Sequence, residues 1–411
     1  MPPATLRWEL NRLVGLSEQG LQGVHRSLAS HVQSGKLPGL VALVSRDDDL
    51  HVETIGSMSV GGAGPMKRES IFRIASLSKP ITAAAAMILV DEGRIQMDES
   101  VDRWLPELSN RKVLKSRTSA RDDTVPSKRP ITLRHLLTFT MGIGSIVERS
   151  NTYPIQRLIR EYKIGGDGPP LPSEFPTTDD WIKRLGSLPL VAQPGERWMY
   201  HVSADVLGVL ISRVSGKSFG EFMRERLFEP LGMKDTGFWV PSEEAGRLPP
   251  SYSLDPLRKA LIVFDGAADS AWLRPPPFES GGAGLVSTVD DYHSFCRMML
   301  NKGKLGGKLI LSEASVGQMT SDQLTPAQRA GPDVFLGKGR SWGFGMAVEV
   351  ERTEDYQTPG RFGWDGGLGT TAWTDPGEGM VTILFTQRMM ESPTAPKLFT
   401  DFWSAAYGAR K

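Results

Sequence analysis

Ser76-Leu77-Ser78-Lys79 places a hydroxyl and an amine three residues apart, immediately ahead of the apolar run at 80–93. Positions i and i+3 share one face of a helix, so Ser76 would have the Lys79 ammonium a turn away and the positive end of the helix dipole beneath it. A serine hydroxyl attacks a carbonyl only when something accepts its proton, and a lysine can do this or support a second base. Pro80 fits the first helical turn, where it costs no intrahelical bond. The tetrapeptide alone says little, because on the order of one or two S-x-x-K matches arise by chance in such a chain. Ser109-Asn110-Arg111-Lys112 is a second match, but it lies in a polar segment with no apolar helix after it and reads as loop. Ser76 differs in its setting, a strand-like stretch at 70–74 followed by a helix closed by Gly93.

Two further stretches can complete that chemistry. Tyr200, in Arg197-Trp198-Met199-Tyr200-His201-Val202, stands just before a strongly helical segment at 205–214. A phenol near a lysine ammonium is favoured as phenolate, which would make Tyr200 the base for Ser76. Phe362-Gly363-Trp364-Asp365-Gly366-Gly367-Leu368-Gly369-Thr370 concentrates glycine just before a strand, and small residues let backbone approach a ligand closely. The amides of Ser76 and Gly367 could then form an oxyanion hole, worth about 3 kcal/mol per donor in a transition state.

The elements that would carry these residues follow from periodicity. Residues 16–32 have Leu21, Val24, Leu28 and Val32 at helical spacing. Residues 40–45 and 50–55 read as two strands of a hairpin across the acidic turn 46–49. Helical segments joined by long polar loops then run to about residue 300, among them 131–140, capped by Thr132, 205–214, 219–228 and 290–300. The Gly- and Pro-containing 165–176 reads as a border or lid over a pocket. Residues 342–350, 369–375 and 380–387 return to strands, and 395–407 closes the chain as a helix. Strands at both ends with helices between predict an α/β fold, one antiparallel sheet assembled from both termini with a large, mainly helical insertion. The expected division is 1–75 with 301–411 for the sheet and 76–300 for the helical part carrying the serine and tyrosine.

Composition narrows the classes. With 48 basic and 47 acidic side chains the net charge is +1, which gives no general attraction to nucleic acid or anionic membrane. The seven Lys and Arg of 109–130 have no aromatic residue interleaved for base stacking, so a solvated loop is expected there. None of the six histidines has a partner at metal-ligand spacing, so neither a metal nor another cofactor is expected. Cys296 is the single cysteine, which excludes an internal disulfide, and it sits where a small buried apolar residue belongs. No apolar run approaches the ~20 residues of a membrane span. Residues 1–13 are interrupted by Arg7, Glu9 and Arg12 and lack a signal-peptide core, so a cytoplasmic location is the default expectation. Oligomeric state is not readable. Gly216-Lys217-Ser218-Phe219-Gly220 matches a hydrolase elbow, but a helix rather than a strand precedes it, so Ser218 is expected at a helix junction. His201 is expected as a partly exposed loop histidine.

Taken in order, Ser76-x-x-Lys79, the tyrosine heading a helix and the late glycine-rich stretch resemble the serine β-lactamases and penicillin-binding proteins, nearest the class C type. The likeness is closer still to family VIII carboxylesterases and related acyltransferases of the same fold. It also takes in Leu37-Pro38-Gly39, the stretch 71–101, Ile131-Thr132-Leu133-Arg134-His135-Leu136-Leu137-Thr138, Pro194-Gly195-Glu196, and Gly284-Leu285-Val286-Ser287-Thr288 with Asp291. The resemblance implies that Ser76 is acylated, that Lys79 and Tyr200 handle its proton, and that Trp364-x-Gly366 stands where lactamases have Lys-Thr-Gly. Two departures matter. Trp364 removes the cation that would hold a β-lactam carboxylate and adds an apolar wall, and Val202 replaces the asparagine of Tyr-x-Asn. Both favour uncharged, hydrophobic acyl substrates, while Asp365 is less usual for the esterases. The expectation is a serine carboxylesterase acting on small, mostly uncharged esters, with weak β-lactam hydrolysis on the side and Trp364, Asp365, Gly366 and Val202 lining the substrate site. The alternatives are an acyltransferase to an alcohol or amine, a β-lactamase or D-Ala peptidase, and a non-enzymatic scaffold.

Overall fold

The computed structural model describes residues 15–62, 64–146, 152–165, 168–329 and 333–411; the expectation for residues 1–13 lies outside them. Its main sheet has seven antiparallel strands. Two come from the start of the chain, β1 (Gly39–Arg46) and β2 (Asp49–Gly56), and the first turn of chain after them leads to a two-residue strand, β3 (Phe72–Arg73). A hairpin, β4 (Ser251–Leu254) with β5 (Leu261–Asp265), stands apart from the main sheet, and β6 (Val286–Ser287) pairs with β3. The last five strands of the sheet are β7 (Arg340–Trp342), β8 (Ala347–Glu349), β9 (Phe362–Gly366), β10 (Thr370–Asp375) and β11 (Met380–Thr386). The order β7-β8-β9-β10-β11-β1-β2 makes β1 and β11 neighbours, so strands from both ends of the chain meet in one open sheet.

The strand sequences explain their places. In β1, Leu40, Val41, Ala42, Leu43 and Val44 are all buried, the continuous apolar run of a strand covered on both faces. Edge strand β2 is instead exposed or only partly buried along its whole length. Helix α1 (Glu18–Gln33), capped by the Ser17 hydroxyl accepting from the Gly20 N–H, lies against β2 and against the C-terminal helix.

Helix α2 (Ser78–Asp91) has almost every side chain buried, as an all-round apolar helix must. It ends in a Schellman arrangement: Gly93, at φ 68°, donates to the Val90 carbonyl and Arg94 to that of Leu89. Helix α3 (Val202–Ser215) packs beside α2, and α4 (Val289–Leu300) lies on β10, β11 and β1. Helix α5 (Lys397–Tyr407) packs on α1 and β11 with Phe399, Phe402 and Trp403 buried. Cys296, on α4, is buried as expected for an apolar packing residue.

Three expectations need correction. The run at 342–350 is two strands, because the chain reverses at 343–346 between β7 and β8. Residues 109–130 are not a plain solvated loop: Lys112–Leu114 pairs with Thr124–Pro126. Arg111 there is buried, its guanidinium donating to the carbonyls of Leu185, Gly186 and Leu188 at the end of the Thr178–Ser187 helix. A cation at a helix C-terminus meets unsatisfied carbonyls and the negative dipole end. Finally, the 219–228 helix changes pitch, with a π-turn at Arg224–Phe228.

Candidate active site

Ser76 does not lie within α2 but in the 3₁₀ turn Ala75–Leu77 that feeds it, after Ala75 at a positive φ of 46°. That turn packs on β9 and β10. Gly366 makes the contact possible, since a Cβ there would sit 2.3 Å from the Ile74 carbonyl oxygen and 2.1 Å from Thr370 Oγ1. Thr370 Oγ1 itself donates to the Ile74 carbonyl at 3.0 Å. The glycine-rich stretch and the serine are thereby locked together.

Lys79 is wholly buried, and its Nζ lies 2.9 Å from Ser76 Oγ, 2.6 Å from the Gly282 carbonyl and 3.2 Å from His201 Nδ1. Burial, opposed in part by the charge of Asp205, pulls the Lys79 pKa down to about 7. The amine is therefore available as a base near neutral pH.

Tyr200 reaches the same crevice. Phe139, Trp198, Phe335, Trp342 and Trp364 surround its ring, and Lys79 Nζ stands 4.6 Å from the ring centre. Burial raises the Tyr200 pKa well above that of an ordinary phenol, although Ser76 and Trp364 hydrogen bonds pull the other way. Burial among these rings disfavours the phenolate that the sequence suggested, and leaves Lys79 as the group whose pKa lies near 7. Trp364 does more than wall the pocket, because its Nε1 donates to the Tyr200 oxygen at 2.6 Å. With that lone pair engaged, the phenolic proton is free to be donated.

Of the remaining predicted residues, Val202, Asp365 and Gly367 line a cavity of about 770 Å³ together with Ser76, Tyr200 and Trp364, whereas Gly366 packs on the Ile74 carbonyl and is not part of its wall. Its apolar lining comes from Ile146, Ile159, Phe175, Phe335 and Met389. Pro169, Pro170 and Phe175, from the stretch read as a border or lid, also face it. The Asp365 carboxylate accepts from Thr371 Oγ1 at 2.6 Å and Trp373 Nε1 at 3.0 Å, and burial raises its pKa. Ser218 sits where the helix junction was expected, accepting from the Glu221 N–H as an N-cap. Asp291 accepts from the Asp235 N–H and Thr236 Oγ1, tying down a loop away from Ser76.

His201 is the main departure at the site. It is the partly exposed residue ahead of the helix that was expected, its side chain 17% exposed, but it is also a neighbour of Lys79. Its backbone, at φ 82° and ψ −68°, is the centre of a strained γ-turn closed by Val202 N–H to the Tyr200 carbonyl at 3.3 Å. Such a conformation costs on the order of 1–3 kcal/mol for a residue with a side chain. Behind it stands Asp205, fully buried, which sequence reading passed over as one more helical residue. The i, i+4 spacing of His201 and Asp205 is the signal that could have found the pair.

The comparisons with known proteins bear on this geometry. The beta-lactamase family model matches residues 24–404. The chain belongs to the beta-lactamase family. Protein Rv1367c of Mycobacterium tuberculosis strain H37Rv is 34% identical over 396 residues, covering 94% of each chain. Esterase EstB of Burkholderia gladioli is 28% identical over 389 residues, 88% of each. The solved structure of EstCE1, a hydrolase with promiscuous acyltransferase activity, superposes with a TM-score of 0.79 at 25% identity, covering 94% of this chain and 98% of that one. The α/β architecture with an antiparallel sheet is thus that of β-lactamase-fold hydrolases and acyltransferases. Among the described residues no group of three or more His, Cys, Asp or Glu is arranged to hold a metal ion, and no helix is long and apolar enough to cross a membrane.

Proposed function

We propose that, among the serine hydrolases and acyl-transferring enzymes of this fold, the chain is a carboxylesterase working through an acyl-enzyme on Ser76. The observation that carries the reading is the buried Lys79 amine 2.9 Å from Ser76 Oγ, in a crevice whose opposite wall is Trp364 rather than a cation. Lys79 takes the proton of Ser76 as its oxygen bonds to the acyl carbon, and the Ser76 and Gly367 amides hold the oxyanion. The proton returns to the leaving alkoxide through the neutral Tyr200 phenol, held by Trp364. Water then gives its proton to Lys79 and attacks the acyl carbon, and Ser76 leaves with that proton. The apolar part of the lining and the lack of a cation at Trp364 favour uncharged esters, with Arg160, Lys259 and Glu391 as charged residues also on the cavity wall. The cavity, about 770 Å³, is larger than a short acyl ester fills, so the reading extends to esters with one bulky, apolar half.

A second reading, acyl transfer, is favoured by that same room beside Ser76 and by the similarity to EstCE1: an alcohol seated there would compete with water for the acyl group. The test is hydrolysis of p-nitrophenyl esters by the wild type, Ser76→Ala and Ser218→Ala, with product analysis after adding a bulky alcohol. Loss of hydrolysis in Ser76→Ala alone supports the esterase, and new ester formed with the alcohol supports transfer. Retained hydrolysis in Ser76→Ala contradicts both. A cytoplasmic location and the roles of Asp365 and Val202 in substrate binding belong to the same proposal, in which Gly366 serves by letting its strand pack against the Ser76 turn.

A further inference from the structure

Among the described residues Lys79 Nζ has three polar partners, and they are not equivalent. The Gly282 carbonyl can only accept a hydrogen bond. Ser76 Oγ can accept or donate. His201 Nδ1 does either according to its tautomer, which its partners allow to be assigned. Oδ2 of the buried Asp205 has no aligned hydrogen bond among the described residues, and the nearest charge-complementary atom to it is His201 Nε2, at an ion-pair distance of 3.3 Å. Burial and the adjacent Lys79 lower the His201 pKa, so the ring carries one proton. Facing a carboxylate, that proton belongs on Nε2, and Nδ1 turns a lone pair toward Lys79 at 3.2 Å.

The free amine of Lys79 has two N–H bonds and one lone pair. Gly282 O and His201 Nδ1 both require a donor, so they occupy the two N–H bonds, and the lone pair is left facing the Ser76 hydroxyl. Asp205 holds both acceptors in place. Its Oδ1 accepts from the Gly282 N–H at 2.9 Å and from Ser280 Oγ at 2.6 Å, while Oδ2 presents its charge to the imidazole 3.3 Å away. The fit is close: a Cβ on Gly282 would stand 3.1 Å from His201 Nε2 and 3.1 Å from Asp205 Oδ1. The groups facing Lys79 and His201 are Ser76, Tyr200, Asp205 and the Gly282 backbone, and Asp205 is the charged one among them. The strained backbone of His201 is the cost of turning this ring and that of Tyr200 into one crevice from adjacent positions.

We infer that His201 and Asp205 are positioning residues that aim the Lys79 lone pair at Ser76, a two-residue support for the base carried on the first turn of α3. The inference rests on Ser76 being the acylated nucleophile.

The test is the rate of covalent labelling by a fluorophosphonate across pH 5–9, with thermal midpoints, for the wild type, His201→Gly, His201→Asn and Asp205→Asn. Glycine relieves the γ-turn strain while deleting the ring. His201→Gly should therefore keep or raise the thermal midpoint yet label about tenfold or more slowly. Asparagine restores an acceptor near the Nδ1 position, and His201→Asn should recover several-fold of that loss. Asp205→Asn removes the charge that raises the Lys79 pKa, so its labelling should begin at lower pH than in the wild type. Labelling of His201→Gly at the wild-type rate, or an Asp205→Asn pH midpoint unmoved, would overturn the inference. Wild-type labelling that is absent or falls on a serine other than Ser76 would overturn the esterase reading itself, whatever the variants do.

Discussion

At the scale of residues, the site turns on which group changes protonation near neutrality. Lys79, pulled to about 7 by burial, is the amine above that pH and the ammonium below it. Ester hydrolysis should therefore fall on an acidic limb centred near pH 7, and a kcat/KM profile on a p-nitrophenyl ester checks this. Removing the base in Lys79→Met should lower kcat/KM by about 10²–10⁴, the usual range for general-base catalysis. Trp364→Phe keeps a ring in the wall but deletes the N–H that reaches Tyr200 at 2.6 Å. A net contribution of about 0.5–1.5 kcal/mol for such a bond predicts a roughly two- to tenfold fall in kcat, measurable under saturating substrate. With no cation at that position, cephalosporin turnover should be far slower than ester turnover, and comparable kcat/KM values would count against the reading. Ser76, Lys79, Tyr200 and Trp364 were legible because their types and order are local. The protonation states were not, since they depend on rings from distant parts of the chain, Phe139, Trp342 and Trp364, meeting around Tyr200.

At the scale of elements, the site depends on how tightly β9 presses on the turn that carries Ser76. Gly366→Ala would drive a methyl into the Ile74 carbonyl and Thr370 Oγ1. The turn must shift, and a misplacement of about 1 Å at reacting atoms costs on the order of 10²-fold in rate. The predicted outcome is a loss of that order in kcat with a lowered thermal midpoint, checked by steady-state rates and melting on the same preparation. The elements themselves were mostly readable from period and punctuation, as the buried run of β1, the hairpin turn into β2 and the Gly93 stop of α2 illustrate. Sequence reading failed where a polar segment gained tertiary partners. Arg111 is buried because carbonyls at the end of another helix receive it, and nothing within 109–130 announces them. The γ-turn at His201 is likewise invisible, because its geometry is rare and strained for any residue with a side chain and no residue type announces it.

At the scale of the whole molecule, the two ends of the chain build one sheet, and β11 pairs with β1 while α5 covers it. The crevice lies between that sheet and α2 and α3, so its geometry is only as stable as that pairing. Trp403 of α5 is fully buried against Trp373 and Phe399. Trp403→Ala should cost about 3–5 kcal/mol of stability, as large-to-small core changes do, read from urea unfolding. That the sheet joins both termini was foreseeable from strands at each end with helices between. The size of the cavity was not, because its walls are assembled from segments as far apart as Ile146, Phe335 and Met389.

The most direct measurement is the site and pH dependence of acylation in the intact protein: fluorophosphonate adducts located by peptide mass, with rates taken from pH 5 to 9. The account predicts a single adduct on Ser76 whose rate of formation rises through about pH 7 as Lys79 loses its proton. An adduct on Ser218, no adduct at all, or a rate on Ser76 that is flat through that range would contradict it.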